Sequence, residues 1–99
     1  MYVQVAHYRL GTGSPEQLRE RVEEGPVRTM REIPGFVDYY AFDAGDGVVA
    51  SVSVFEDRGG SEEAERSLAG WIEETVGQFD ISPGEVSEGD VFATTRASA

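Results

Sequence analysis

Phe36-Val-Asp-Tyr-Tyr-Ala-Phe42, then Asp43-Ala-Gly-Asp-Gly47, then Val48-Val-Ala-Ser-Val-Ser-Val-Phe55 is the stretch on which the fold turns. The two outer runs are rich in aromatic and β-branched residues, and the segment between them is dense in turn residues and short enough to join two antiparallel strands. The stretch therefore predicts a hairpin. Its second strand alternates strictly, with Val48, Ala50, Val52 and Val54 on one face and Val49, Ser51, Ser53 and Phe55 on the other. The uniformly aliphatic set is expected to pack beneath helices.

Upstream of the hairpin, Ser14-Pro15 with Gln17 three residues after the serine is a capping box with proline at the first helical position. Leu18, Val22, Pro26, Met30 and Ile33 follow at nearly helical spacing, broken at Gly25-Pro26, where proline lacks an amide donor. A kinked or restarted helix ending at Pro34-Gly35 is expected. Before it, Tyr2 to Leu10 reads as a first strand closed by Gly11-Thr-Gly13.

Downstream, Ser61 with Glu62 and Glu63 has the character of a helix N-terminus. Ala64, Leu68, Trp71, Ile72, Thr75, Val76 and Phe79 then form one apolar stripe, with Glu63, Glu65, Arg66, Glu73 and Glu74 largely off it. A last strand is expected over Val91 to Thr95, after the acidic, glycine-interrupted run from Glu85. Ala97-Ser-Ala99 reads as a short tail to a single domain spanning 1–96.

The 99 residues leave room for one core. The order of elements is strand, helix, strand, strand, helix, strand, an α+β chain of the ferredoxin-like βαββαβ type with both helices on one face of an antiparallel sheet. The Val49 and Phe55 side of the third strand would then be left bare. It is too apolar to face water, so two subunits are expected to pair sheet to sheet as a homodimer.

Composition narrows the chemistry. Without cysteine there is no disulfide framework, thiolate nucleophile or cysteine-held metal. A formal net charge of −11, with every basic residue an arginine, argues against nucleic-acid or anionic-membrane partners. The first residues alternate like a strand, so no signal peptide or membrane span is expected and the cytoplasm is the default location. Asp43-Ala-Gly-Asp-Gly47 lacks the later ligands of a calcium loop. No glycine-rich phosphate loop or ligand cluster appears, and no cofactor is expected.

Ile33-Pro-Gly-Phe36, Tyr39-Tyr40, Asp46-Gly47, Ser53-Val-Phe-Glu-Asp57, Ala69-Gly-Trp71 and Glu85-Val-Ser-Glu-Gly89 together resemble the small dimeric α+β barrel proteins grouped with the antibiotic biosynthesis monooxygenases. The resemblance covers most of the chain, from Tyr2 to about Thr95. It implies a dimeric barrel, and its matching positions are turn, core and hairpin residues. Some members of that group oxidise polycyclic phenols with oxygen and without metal or flavin, holding the substrate as an anion in a buried cavity. Others degrade haem with an asparagine on the first strand and a tryptophan and a histidine associated with the second helix. Here Trp71 corresponds to the tryptophan, but the first strand has no asparagine and no histidine follows Trp71, so haem degradation is not expected.

His7, the only histidine, and Arg9 share one face of the first strand. They are the candidate catalytic pair, His7 as base or hydrogen-bond donor and Arg9 as counter-charge to an anionic aromatic ligand. An arginine is costly against a helix, which favours both facing the cavity; the opposite register would present Tyr8 instead. Tyr39 and Tyr40 must point to opposite faces, one into the core and one able to stack on a phenolic or quinone ligand. Ser51, Ser53, Phe55 and Trp71 complete the candidate substrate-binding set, although a tryptophan on such a helix stripe is more often a core anchor than a ligand platform. Two functions follow: a cofactor-independent monooxygenase acting on a small aromatic or polyketide-like substrate, or a non-catalytic ligand-binding or structural homodimer.

Overall fold

The structure, a computed structural model, describes residues 1–96; the expected tail, 97–99, lies outside the described residues. The elements run β1 (Tyr2–Arg9), α1 (Pro15–Glu24), α2 (Pro26–Arg31), β2 (Phe36–Gly45), β3 (Val48–Phe55), α3 (Arg58–Phe79) and β4 (Ser82–Asp90). The four strands form one antiparallel sheet in the order β2-β3-β1-β4. With helical connections from β1 to β2 and from β3 to β4, this is the ferredoxin-like α+β arrangement expected from the element order. Among the described residues no helix is long and apolar enough to cross a membrane.

The local signals at the start of the chain act as read. Ser14 accepts from the Gln17 amide, and the Gln17 side chain accepts from the Ser14 amide in return. The helix breaks at Gly25 and restarts with Pro26 at its first position. The hairpin turn is tighter than the five residues assigned to it. Only Asp46 and Gly47 separate the strands, at φ of 53° and 77°, so both occupy the left-handed region that a type I′ turn requires.

Three expectations are corrected. First, the sides of β3 are inverted. Phe55, 1% exposed, packs with Met30, Ile33, Ala64 and Leu68 beneath the helices, and Val49 packs with Leu18 and Phe79. Val49, Ser51, Ser53 and Phe55 thus face the helices, and Val48, Ala50, Val52 and Val54 form the helix-free face. The aliphatic set is the more uniform, but only Phe55 reaches far enough from the sheet to fill the space under α2 and α3, and it meets Phe36 edge-on at 5.9 Å.

Second, the last strand is Ser82–Asp90, not Val91 to Thr95. Being an edge strand it has one neighbour, β1, and needs neither an unbroken ladder nor a buried face. Its acids are used instead: Glu88 accepts from the Tyr2 hydroxyl at 2.5 Å and from Gln4 at 3.1 Å. Third, α3 begins at Arg58, because the Asp57 carboxylate captures the Gly60 amide and caps the helix before Ser61 can do so.

Candidate functional site: a pocket between two half-cores

Among the described residues, much of the buried apolar core falls into two clusters. Met30, Ile33, Phe55, Ala64 and Leu68 fill one end of the helix–sheet layer, and Leu18, Val49 and Phe79 the other. Between them the sheet presents Ala41, Ser51 and Ser53, side chains too short to meet the helices. A pocket of about 150 Å³ results, its walls drawn from both clusters. It adjoins a groove of about 380 Å³ between α1 and β2, and Leu18, Val22, Tyr39 and Ala41 line both.

The polar groups of the pocket come from every wall. The sheet contributes Gln4, Tyr8, Tyr39, Ser51 and Ser53, and α3 contributes Glu65, Trp71 and Thr75. Burial pushes the Tyr39 phenol up to about 12, with a further push from Tyr8. Burial likewise raises the Tyr8 phenol, as does the negative charge of Glu65, while the Ser51 hydroxyl acts in the opposite direction. Both phenols are therefore protonated donors at neutral pH. The Gln4 amide donates to the Glu65 carboxylate at 3.2 Å, which ties α3 to the sheet at the pocket's edge.

Trp71 owes its place to the break between α1 and α2. A Cβ built on Gly25 would collide with the Trp71 indole, so the indole packs where any larger residue would stand. The Gly25-Pro26 interruption is therefore part of the pocket's construction, not only a helix boundary.

Of the residues singled out in the sequence, the structure brings Tyr39, Ser51, Ser53 and Trp71 together around this pocket. His7, Arg9, Tyr40 and Phe55 are not among its lining residues. His7 and Arg9 lie on the helix-free face, opposite Ala50 and Val48, and the Arg9 guanidinium donates to the Asp46 carbonyl at 3.1 Å. The pocket lies on the helix side of the sheet, so the placement that keeps the Arg9 guanidinium away from the helices also keeps it out of the pocket. Tyr8, the alternative, is the residue that lines it. Tyr40 faces away from the helices and Phe55 is buried in the core.

Gln4, Glu65 and Thr75 were not singled out as site residues. Thr75 sits on the apolar stripe four residues after Trp71, and that spacing was the available signal. Glu65, exposed and off the stripe, reads as surface charge. Among the described residues no group of three or more His, Cys, Asp or Glu side chains is placed to hold a metal ion.

No family model matches the chain, and no curated protein sequence matches it. Solved structures do match. SnoaB from Streptomyces nogalater, described as a cofactor-independent oxygenase, superposes with a TM-score of 0.72 at 15% identity, covering 97% of each chain. A protein from Deinococcus radiodurans, given a provisional assignment as an antibiotic biosynthesis monooxygenase, superposes at 0.73 with 11% identity over 100% of both chains. A dimeric ferredoxin-like protein from an uncultured marine organism superposes at 0.75 with 8% identity, covering 98% of this chain and 100% of that one. At these identities the likeness shows the fold, which this chain shares with antibiotic biosynthesis monooxygenase-like proteins.

Proposed function

We propose that the chain binds a small aromatic or polyketide-like molecule in the pocket between the half-cores and oxidises it with molecular oxygen, without metal or flavin. The observation that carries this reading is the divided core, whose interior gap is walled by phenols, hydroxyls, an indole and one carboxylate. The shared fold with a cofactor-independent oxygenase adds support by analogy.

The chemistry asks little of the protein. An activated methylene flanked by aromatic rings loses a proton, the carbanion passes an electron to oxygen, and the resulting pair combines as a peroxide that collapses to ketone and water. The sum is Ar₂CH₂ + O₂ → Ar₂C=O + H₂O. Glu65, the one carboxylate lining the pocket, takes the first proton and returns it to the departing hydroxide. Tyr8 and Tyr39, held protonated, donate to the oxygen on which negative charge develops. Anthrone is a suitable test molecule. Incubation with the protein should consume one oxygen per anthrone and yield anthraquinone faster than buffer alone. Binding without accelerated oxygen uptake would favour the non-catalytic reading, for which the absence of any arginine or histidine among the lining residues speaks.

The reading includes a homodimer joined through the helix-free sheet faces. Tyr40 and Phe42 are 58% and 51% exposed there, beside the half-buried Val52 and Val54, an apolar surface of the kind that marks an interface. The similar marine protein is described as dimeric. Light scattering is expected to give twice the 10.8 kDa chain mass, and Phe42→Glu to give the monomer. A wild-type monomer at micromolar concentration would contradict the pairing.

A further inference from the structure

Thr75 is 1% exposed, and its Oγ1 has no hydrogen-bond partner among the described residues. A threonine inside a helix commonly donates to the carbonyl four residues back, here that of Trp71, and this one does not. A buried hydroxyl without a partner lowers stability, and valine, of the same shape, would fit without that cost. Thr75 is one of the residues that line the pocket, and its hydroxyl is buried in the wall. It is accounted for if a ligand completes its bonding.

The surrounding charge says what kind of ligand. The groove that adjoins the pocket carries Glu16, Glu23 and Asp43 against Arg19 alone, and Arg19 is already paired with Glu23 at 3.0 Å. At the pocket itself, the exposed Glu65 is the one charged side chain among the lining residues. A carboxylate entering here would pass an acidic mouth and then give up its hydration to a site with no cation to receive it. The burial that holds Tyr8 and Tyr39 protonated would act on such a ligand in the same sense. The hydroxyl donors are matched instead by a carbonyl oxygen.

We propose that the pocket takes a neutral, carbonyl-bearing aromatic in preference to carboxylate analogues, with Thr75 donating the hydrogen bond that holds the carbonyl oxygen. This rests on the pocket reading above and gives it a substrate class and a specificity-determining residue. The probes are 1,4-naphthoquinone, 1-naphthoate and naphthalene, measured by equilibrium dialysis against wild type, Thr75→Val and Thr75→Ser. The chain has neither cysteine nor lysine, so the quinone meets no thiol or lysine amine that would capture it covalently.

Wild type should bind the quinone at least about tenfold more tightly than the naphthoate. Thr75→Val should lose about fivefold for the quinone, the scale of one neutral hydrogen bond, and nothing for naphthalene. The same variant should melt a few degrees higher, since the unpaired hydroxyl is gone, and Thr75→Ser should keep the quinone preference. Unchanged quinone affinity in Thr75→Val, or naphthoate bound as tightly as quinone, overturns the inference while leaving the pocket reading intact, provided naphthalene binds. If none of the three probes binds wild type, the pocket reading itself fails and this inference falls with it.

Discussion

Glu65→Gln is expected to slow oxygen-dependent turnover of anthrone by about 10²- to 10⁴-fold, the range supplied by a positioned general base. The substitution keeps the shape of the side chain and an oxygen able to accept from Gln4, so the 3.2 Å tie between β1 and α3 can persist. Anthrone is neutral, and its affinity should change little. The loss should therefore fall on kcat rather than KM, as for an interaction made only as the proton moves. A loss confined to KM would assign Glu65 to binding, and an unchanged kcat would remove it from the chemistry. Glu65 also contributes to the raised pKa of the Tyr8 phenol, so that phenol should ionise at lower pH in the variant. Absorbance titration of the tyrosines checks this without any substrate.

Phe55→Ala is expected to destabilise the fold by about 3–5 kcal/mol, the cost of a large cavity in a packed core. The ring is 1% exposed, touches both α2 and α3 through Met30, Ile33, Ala64 and Leu68, and meets Phe36 edge-on. For a domain of this size such a loss is a large share of the total stability, and thermal melts should shift by well over ten degrees. A shift of only a few degrees would mean that the half-core at this end collapses around the gap. By comparison Phe42→Ala, on the helix-free face, removes an exposed ring and should barely affect the fold of one chain.

The element order was legible because each signal in it is local. The capping box at Ser14, the break at Gly25-Pro26 and the turn residues at Asp46-Gly47 act within a few residues of themselves. The strand faces were not legible in the same way. Alternation shows that Val48 and Val49 point oppositely, but which of them meets the helices depends on what the helices bring, and here the length of Phe55 decides it. β1 and β3 are paired residue by residue, with His7 opposite Ala50 and Arg9 opposite Val48, so the cost of an arginine under helices also fixes which side of β3 is free of helices, a link between strands that alternation within β3 alone does not carry.

The edge strand was missed for a different reason. Ser82–Asp90 carries neither alternation nor β-branched density, because a strand with one neighbour and little cover is not selected for either. The pocket was half legible: Ser51 and Ser53 stand in the candidate substrate-binding set, but that short side chains there would leave a gap in the core depends on the facing helices. Thr75 lay in plain view on the apolar stripe. A threonine in such a stripe is unremarkable until its hydroxyl is found without a partner.

The gap between the half-cores is the proposed binding site, and Trp71, the only tryptophan, reports on it from the wall. The most direct measurement is its fluorescence during titration with 1,4-naphthoquinone, compared between wild type and Arg9→Met. Saturable one-to-one quenching with the same affinity in both proteins is the predicted result. Quenching that rises linearly without saturation, or saturable quenching that Arg9→Met abolishes in a folded protein, would contradict it and return the site to the helix-free face of the sheet.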